Sequence, residues 1–155
     1  AATAARYRAL EDSPPGTLGR AYFDFIRSRG LPLPGEKGGA PEGWFVAHDL
    51  THILTGCNTD RDGEVEIIGF QAGYTSTENP LEALLLALVQ AQLGIVLDPV
   101  APSAVGELNF DLLARGVVRG AQATIDFGAG WDYWADLGKS VDEVRALYGV
   151  APLPA

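Results

Sequence analysis

The sequence lacks methionine and has little positive charge, one cysteine and two histidines among its 155 residues. Without Met, we expect residues to precede Ala1. A single cysteine, Cys57, cannot form a disulfide within the chain, so the fold does not depend on oxidation. Eleven Lys and Arg against 20 Asp and Glu give a net charge of −9. The basic surface that nucleic acid requires is therefore missing, and we expect no nucleic-acid partner.

Long hydrophobic runs are also missing. The longest apolar stretch, residues 81–97, is interrupted by Glu82, Gln90 and Gln92. A membrane-spanning helix needs about 20 predominantly apolar residues. We therefore expect no transmembrane segment and no signal peptide, whereas peripheral contact with a membrane stays open.

The hydrophobic content predicts one domain with a buried core, because 47% of the 155 residues are hydrophobic. Residues 1–16 are small and polar and end in Ser-Pro-Pro-Gly, which predicts an N-terminal arm. Residues 17–150 form the predicted domain and residues 151–155 a tail. Residues 30–43 are rich in Gly and Pro and predict a long loop, of the kind that often acts as a lid.

Helix signals recur along the domain. Thr17 is a candidate cap for a helix to about Ser28, and Ser140 with Glu143 predicts a capping box for a last helix that ends at Gly149. Further helices are predicted at Trp44–Thr55, from Asn79-Pro80-Leu81-Glu82 to about Leu93, and from Glu107 to about Val118. Residues 58–63 predict a turn, and residues 64–74 fit a strand and a helix equally well.

Both histidines of the chain lie in the predicted 44–55 helix, in the sequence His48-Asp49-Leu50-Thr51-His52. At about 100° per residue, His48 and His52 lie about 40° apart on one face, with Asp49 about 60° beyond His52. Two imidazoles one turn apart can bind one metal ion. Gly56 and Gly63 permit a chain reversal that would bring Glu64 back over the histidines.

The alternative is that the histidines only form hydrogen bonds within the core. Because three ionisable groups on a mostly apolar helix must be paired or metal-bound, we favour a metal. Two nitrogens and one or two carboxylates suit zinc, or a non-haem iron or manganese site with open positions. The metal ligands predicted here are therefore His48, His52 and Glu64, with Asp49 as a ligand or a close neighbour.

Other known motifs that contain these residues require residue types that this sequence lacks. The zincin helix has Glu where this chain has Asp49, and the His-Asp phosphohydrolases need a further histidine that the chain lacks. Residues 58–63 imitate the start of an EF-hand loop, but its twelfth position is Gly69 instead of Glu. Cys57 has no further histidine to activate it, so we interpret it as a packing residue.

The pattern His-Asp-x-x-His, eleven residues, Glu resembles the coenzyme Q (ubiquinone) biosynthesis protein 4 family, through His48, Asp49, His52 and Glu64. The likeness extends over about residues 17–150. It includes Leu18-Gly19-Arg20-Ala21-Tyr22 in the first predicted helix, His52-Ile53-Leu54-Thr55-Gly56, Thr59-Asp60 and Gly63-Glu64 around the motif, and Val144-Arg145-Ala146-Leu147-Tyr148-Gly149-Val150 at the end.

The resemblance implies an all-α, single-domain helical bundle with a central metal-binding helix, in which residues 64–74 are helical. It implies a divalent metal, most often zinc, at His48, Asp49, His52 and Glu64. It further implies a role in ubiquinone synthesis, in contact with a polyprenylated aromatic lipid and with other enzymes of the pathway. For a bacterial member we expect a cytoplasmic location, with peripheral association with the inner membrane and a homodimer both left open.

Two functions remain open at this point. One is a metal-dependent enzyme that removes the C1 carboxyl of a polyprenyl hydroxybenzoate with hydroxylation of that carbon. The other is a lipid-binding scaffold without catalysis that organises the pathway enzymes.

Arg115 and Arg119 lie one turn apart, and we expect them to pair with Asp111 and solvent in preference to an anionic head group.

Overall fold

The computed structural model describes residues 2–74, 84–85, 88–95, 105–106 and 108–153. Within these residues the fold is all-α, as the sequence predicts, and contains no strand or sheet. The helices are α1 (Ala2–Arg8), α2 (Leu18–Ser28), α3 (Trp44–Thr55), α4 (Arg61–Tyr74), α5 (Phe110–Gly120) and α6 (Val141–Tyr148). No described helix is long and apolar enough to cross a membrane.

The predicted helix signals at α2 and α6 are confirmed. The Thr17 hydroxyl accepts a hydrogen bond from the Arg20 amide, which caps the start of α2. Ser140 and Glu143 form the predicted capping box at the start of α6, and Gly149 ends that helix with a φ of 69°. These elements depend on neighbouring residues alone, so local sequence was enough to place them.

The N-terminal segment is not an arm. Residues 2–12 form α1 followed by a short 3₁₀ turn, and Tyr7 and Leu10 are buried in the main core. The Tyr7 hydroxyl lies 3.0 Å from the Tyr133 hydroxyl and donates to Glu42 at 3.1 Å. The sequence reasoning gave weight to the many small and polar residues and missed the few apolar ones that anchor the segment.

Helix α3 covers the predicted residues and ends at Gly56, which has a φ of 78°. It contacts α2 and α6. An arginine from later in the chain satisfies two of the last carbonyl groups of α3: Arg145 donates to Leu54 and Ile53, at 2.7 and 3.2 Å. Positive charge at a helix C-terminus is favourable, so Arg145 both caps α3 and fixes α6 against it.

Residues 64–74 are helical, and α4 begins three residues before them, inside the predicted turn. Asp60 starts the helix by accepting a hydrogen bond from the Gly63 amide at 2.8 Å. The strand preference of the Val and Ile residues is overridden by packing against α5. A Cβ at Gly69 would overlap the Leu113 carbonyl, and one at Gly116 would overlap the Glu66 carbonyl. The helices therefore touch backbone to backbone, which only glycine permits.

Helix α5 begins at Phe110, a few residues later than predicted, because Asn109 caps it by accepting from the Leu112 amide. The proposed start of the preceding helix at Asn79-Pro80, and the proposed first residue of α5, Glu107, lie outside the described residues. Of that preceding helix, Leu88–Gln92 forms a π-helical turn.

Arg115 and Arg119 pair with a different carboxylate from the predicted one. Both donate to Glu66, at 2.6 Å from Arg115 Nη2 and 2.5 Å from Arg119 Nη1, and Glu66 is only 2% exposed. Their hydrogen bonds lower the pKa of this carboxyl group even though burial raises it. The expected pairing with Asp111 is therefore wrong: a buried acid 49 residues away in sequence takes its place.

The loop at residues 30–43 has no regular structure, as predicted, but it is anchored. Glu36 accepts hydrogen bonds from Arg27 and Arg8 and from the Leu33 amide, and Leu33 itself is fully buried. These contacts lower the pKa of Glu36 from 4.5 to about 2. They fix the first half of the loop onto α1 and α2.

We expect Gly116→Ala to destabilise the protein by about 1–3 kcal/mol, because the added methyl group forces α5 away from the Glu66 carbonyl. Urea denaturation measures the change. Gly138→Ala is the control, since a Cβ there meets nothing within 4 Å. Equal or greater stability of Gly116→Ala would contradict the close packing of α4 and α5, because Ala is otherwise the better helix former.

We expect Glu36→Gln to lower the melting temperature at neutral pH and to matter less in acid. A folded-state pKa of about 2 against 4.5 in the unfolded chain means that the stabilisation is fully present above pH 4.5. It is lost as the pH falls from 4.5 towards 2. Thermal melts of wild type and variant across this range check the prediction, with the exposed Glu11→Gln as control. A difference that stays constant with pH would refute it.

Candidate metal centre

Two helices supply the side chains of the candidate site. His48 and His52 lie one turn apart on α3, and Glu64 lies in the first turn of α4. The αL conformation of Gly56 ends α3 and starts the reversal that brings α4 back alongside it. The predicted approach of Glu64 to both histidines is therefore present in the fold.

The distances within the site suit a single metal ion. His48 Nε2 and His52 Nε2 are 3.2 Å apart. Glu64 Oε2 lies 3.4 Å from His48 Nε2, and Glu64 Oε1 lies 3.3 Å from His52 Nε2. Bonds of about 2.0–2.1 Å in a tetrahedral zinc site place neighbouring ligand atoms about 3.3–3.4 Å apart. The group His48, His52 and Glu64 can thus hold a metal ion without rearrangement of the backbone.

His52 is oriented for this role by the turn that follows α3. Its Nδ1 lies 3.2 Å from the Cys57 carbonyl oxygen, and its side chain is only 1% exposed. A carbonyl oxygen can only accept, so a neutral His52 carries its proton on Nδ1 and directs the bare Nε2 into the site. Metal-bound histidines usually have such a partner on the other ring nitrogen.

His48 forms the more open side of the site. Its side chain is 17% exposed, and its ring stacks on Trp44 with centroids 5.1 Å apart. Its Nδ1 lies 3.0 Å from the side-chain amide nitrogen of Gln71. Gln71 and Trp44 therefore fix the orientation of the ring from two sides.

Glu64 is held in its charged form. Burial raises the pKa of this carboxyl group, but the adjacent His48 and His52 imidazoles outweigh that effect and lower it to about 2. The site therefore presents a carboxylate at neutral pH. A negatively charged oxygen beside two imidazoles is a donor set typical of zinc and of other divalent metals.

Asp49 does not belong to the group of converging ligand atoms. Its carboxyl group is largely buried, and burial raises its pKa to about 6, although the nearby His48 and His52 act in the opposite direction. The structure records no hydrogen bond from a described residue to this side chain. Its role as a ligand or a close neighbour of the metal stays a prediction.

Two other sequence-based interpretations meet the structure here. The EF-hand resemblance is confined to sequence, because Asp60 caps α4 and Asp62 lies within it. Cys57 is buried, and burial raises the pKa of its thiol, as expected for a packing residue. Its backbone carbonyl, which no side-chain pattern reveals, is the group that contacts His52.

Gln71 was missed by the sequence reasoning. It lies 23 residues from His48 and belongs to no metal motif. One signal was available: Gln71 follows Glu64 by seven residues, which on a helix is two turns along the same face. Once α4 is known to lie over the histidines, that spacing identifies it.

A cleft of about 520 Å³ is lined in part by Tyr74, whose hydroxyl hydrogen-bonds with Gln71. Its lining combines aromatic and acidic side chains, among them Tyr74, Trp131, Tyr148, Asp126 and Asp132. Because two carboxylates line it, this cleft differs from the continuous apolar groove that a polyprenyl chain needs.

In comparisons with known proteins, the sequence matches no family model and no curated protein.

We expect protein purified without chelators to contain close to one divalent metal ion per chain, and the double variant His48→Ala, His52→Ala to lose it. Elemental analysis measures the metal content. Glu64→Gln should lower it as well, because the carboxylate supplies the charge of the site, whereas the exposed Glu11→Gln should not. Full retention of metal in the double histidine variant would overturn the assignment.

Proposed function

We propose that the protein is a metal-dependent protein of ubiquinone synthesis that binds a polyprenylated aromatic ring and acts at ring carbon C1. The observation that carries the proposal is the convergence of His48, His52 and Glu64 at separations suited to one metal ion. The resemblance of the surrounding sequence to the coenzyme Q biosynthesis protein 4 family supplies the pathway.

Zinc is the proposed metal, with iron and manganese as the alternatives. Two imidazole nitrogens and one carboxylate form a three-ligand set of the kind that catalytic zinc sites use, with a further position for water or substrate. Asp49 is proposed as the fourth ligand or as a negative charge close to the metal. Its carboxyl lies beside both histidines, where a negative charge favours a bound cation.

A bound divalent metal would hold the carboxylate and phenolic oxygens of the ring and stabilise the negative charge that develops as the carboxyl leaves. The residues of the chain fix the position of that charge. Glu64 remains ionised beside His48 and His52, and Cys57 and Gln71 hold the two imidazoles in place. A site whose donors are already oriented loses little free energy to reorganisation.

Exposed aromatic residues at the start of α3 support a lipid substrate. Trp44 is 45% and Phe45 41% exposed, their rings meet edge to face, and Trp44 stacks on His48. Exposed aromatic side chains suit both an apolar ring or prenyl chain and the surface of a membrane. We propose that the lipid approaches the metal from this side, with the protein at the surface of the bacterial inner membrane.

A second candidate is a scaffold without catalysis, in which the metal holds the lipid head group while other pathway enzymes assemble around it. The exposed Trp44 and Phe45 favour this function equally, because binding a lipid requires no reaction. The two candidates differ in the precursor that accumulates when the site fails.

We expect loss of the protein to lower ubiquinone in a bacterium that uses it for this pathway, and Asp49→Asn to do the same with the fold intact. Asn has nearly the size of Asp but no charge beside the metal. Lipid extraction with mass spectrometry measures ubiquinone and its precursors. The exposed Asp12→Asn is the control and should restore normal levels.

The precursor that accumulates in the Asp49→Asn strain separates the two candidates. A ring that still carries its C1 carboxyl indicates the enzyme. An early prenylated precursor, together with loss of the pathway enzymes from a pull-down of the protein, indicates the scaffold. Normal ubiquinone in both the deletion and the Asp49→Asn strain would overturn the assignment to this pathway.

A further inference from the structure

The cleft of about 520 Å³ shares no residue with the candidate metal centre. It combines three aromatic side chains, those of Tyr74, Trp131 and Tyr148, with the carboxylates of Asp126 and Asp132. Its volume lies within the range of about 300–1,000 Å³ that is usual for small-molecule sites. The chemistry of this lining therefore indicates which class of ligand the cleft can take.

One buried carboxylate fixes two of the aromatic rings. Asp136 is only 3% exposed, and its Oδ2 accepts hydrogen bonds from Trp131 Nε1 at 2.8 Å and from the Tyr148 hydroxyl at 2.7 Å. The planes of the two rings meet at 80°, with their centroids 6.2 Å apart. The buried Phe127 packs edge to face against both. Trp131 and Tyr148 therefore form an aromatic corner that is in place before any ligand binds.

Negative charge is the second property of the lining. Asp126 Oδ1 accepts hydrogen bonds from the backbone amides of Gly128 and Ala129, at 2.9 and 3.1 Å, which holds its carboxylate in place. Among the described residues, no Lys or Arg lines the cleft, and neither Asp126 nor Asp132 forms an ion pair. A cleft lined by charge of one sign raises the local concentration of the opposite ion, so this one attracts cations.

The combination of rings and carboxylates favours an organic cation over other ligands. An anion would be repelled by Asp126 and Asp132, and an uncharged apolar molecule would displace the water around them without replacing it. A calcium-like ion needs about six to eight oxygen ligands, and aromatic rings supply none. An alkylammonium ion gains from both features, because a cation is attracted to the face of an aromatic ring as well as to a carboxylate.

We propose that this cleft binds an alkylammonium ion, with the cationic group in the corner of Trp131 and Tyr148 and its charge balanced by Asp126 and Asp132. The ligand is a free amine instead of a phospholipid head group, because the phosphate beside a choline or ethanolamine group would face the same two carboxylates. The inference depends neither on the metal centre nor on the proposed pathway, since the cleft and the metal ligands are different residues.

Choline and butylammonium test the proposal, each beside an uncharged molecule of similar shape: 3,3-dimethylbutan-1-ol for choline and butan-1-ol for butylammonium. A ¹H–¹⁵N nuclear magnetic resonance titration of the full chain follows the backbone amides of residues 123–132 and the Trp131 indole N–H. At least one of the two cations should bind saturably there, with a dissociation constant of about 1 mM or lower. Its uncharged counterpart should bind about 10-fold more weakly or less. Glycerophosphocholine, the soluble part of a lipid head group, should bind more weakly than choline.

Two variants separate the contributions of the ring and of the charge. Trp131→Leu removes one side of the corner and should weaken binding of the cation about 3–30-fold. The double variant Asp126→Asn, Asp132→Asn removes the charge, keeps the oxygen that accepts at residue 126, and should weaken binding about 2–25-fold. Phe110→Leu and Asp12→Asn are the controls: both replace exposed residues outside the cleft and should bind as wild type does. Circular dichroism checks that the variants fold.

Absence of saturable binding of both cations up to about 20 mM would overturn the proposal. Uncharged counterparts that bind as tightly as the cations would overturn it too, as would folded variants of the cleft with wild-type affinity. Glycerophosphocholine binding as tight as that of choline would overturn the assignment to a free amine. If Trp131→Leu fails to fold, the double Asp126→Asn, Asp132→Asn variant decides, because neither aspartate is buried.

Discussion

The partly buried Arg119 side chain joins the segments on which the candidate site depends. It pairs with Glu66 in α4 and donates to the carbonyl oxygens of Thr55, at the end of α3, and of Ala151, at 2.7 and 2.8 Å. A buried carboxylate such as Glu66 is costly unless it is fully paired, and removing one partner from such a pair is strongly destabilising. The turn between α3 and α4 is thus closed by an interaction that tolerates little movement.

The convergence of the three candidate ligands follows from this closure. Glu64 precedes Glu66 by two residues, so the link that fixes Glu66 to the end of α3 also fixes where Glu64 meets the histidines. On the other side, the glycine contacts between α4 and α5 bring Arg115 and Arg119 close enough to reach Glu66. Glu64, a candidate metal ligand, and Glu66, which forms the ion pairs, therefore share α4 and face different neighbours.

Neighbouring groups fix the orientation of the two imidazoles and the charge of Glu64. Cys57 and Gln71 fix the ring nitrogens that face away from the centre, while the two histidines keep Glu64 ionised. Asp49, buried beside them with a raised pKa, adds a charge that the metal-free chain accommodates poorly. Such a cluster is stabilised by a cation, which is the physical basis of the proposed function.

The sequence by itself determined the features that lie within one or two helical turns: the face that carries His48 and His52, the caps of α2 and α6, and the end of α3 at Gly56. It also predicted that Glu64 comes close to the histidines, from Gly56 and Gly63 and from the family resemblance. Only the tertiary structure decided that residues 2–12 join the core, that Glu66 forms ion pairs with Arg115 and Arg119, and that Gln71 contacts His48. Helix geometry fixes local spacing, whereas a contact across 23 or 49 residues depends on how whole helices pack, and no short stretch of sequence records that packing.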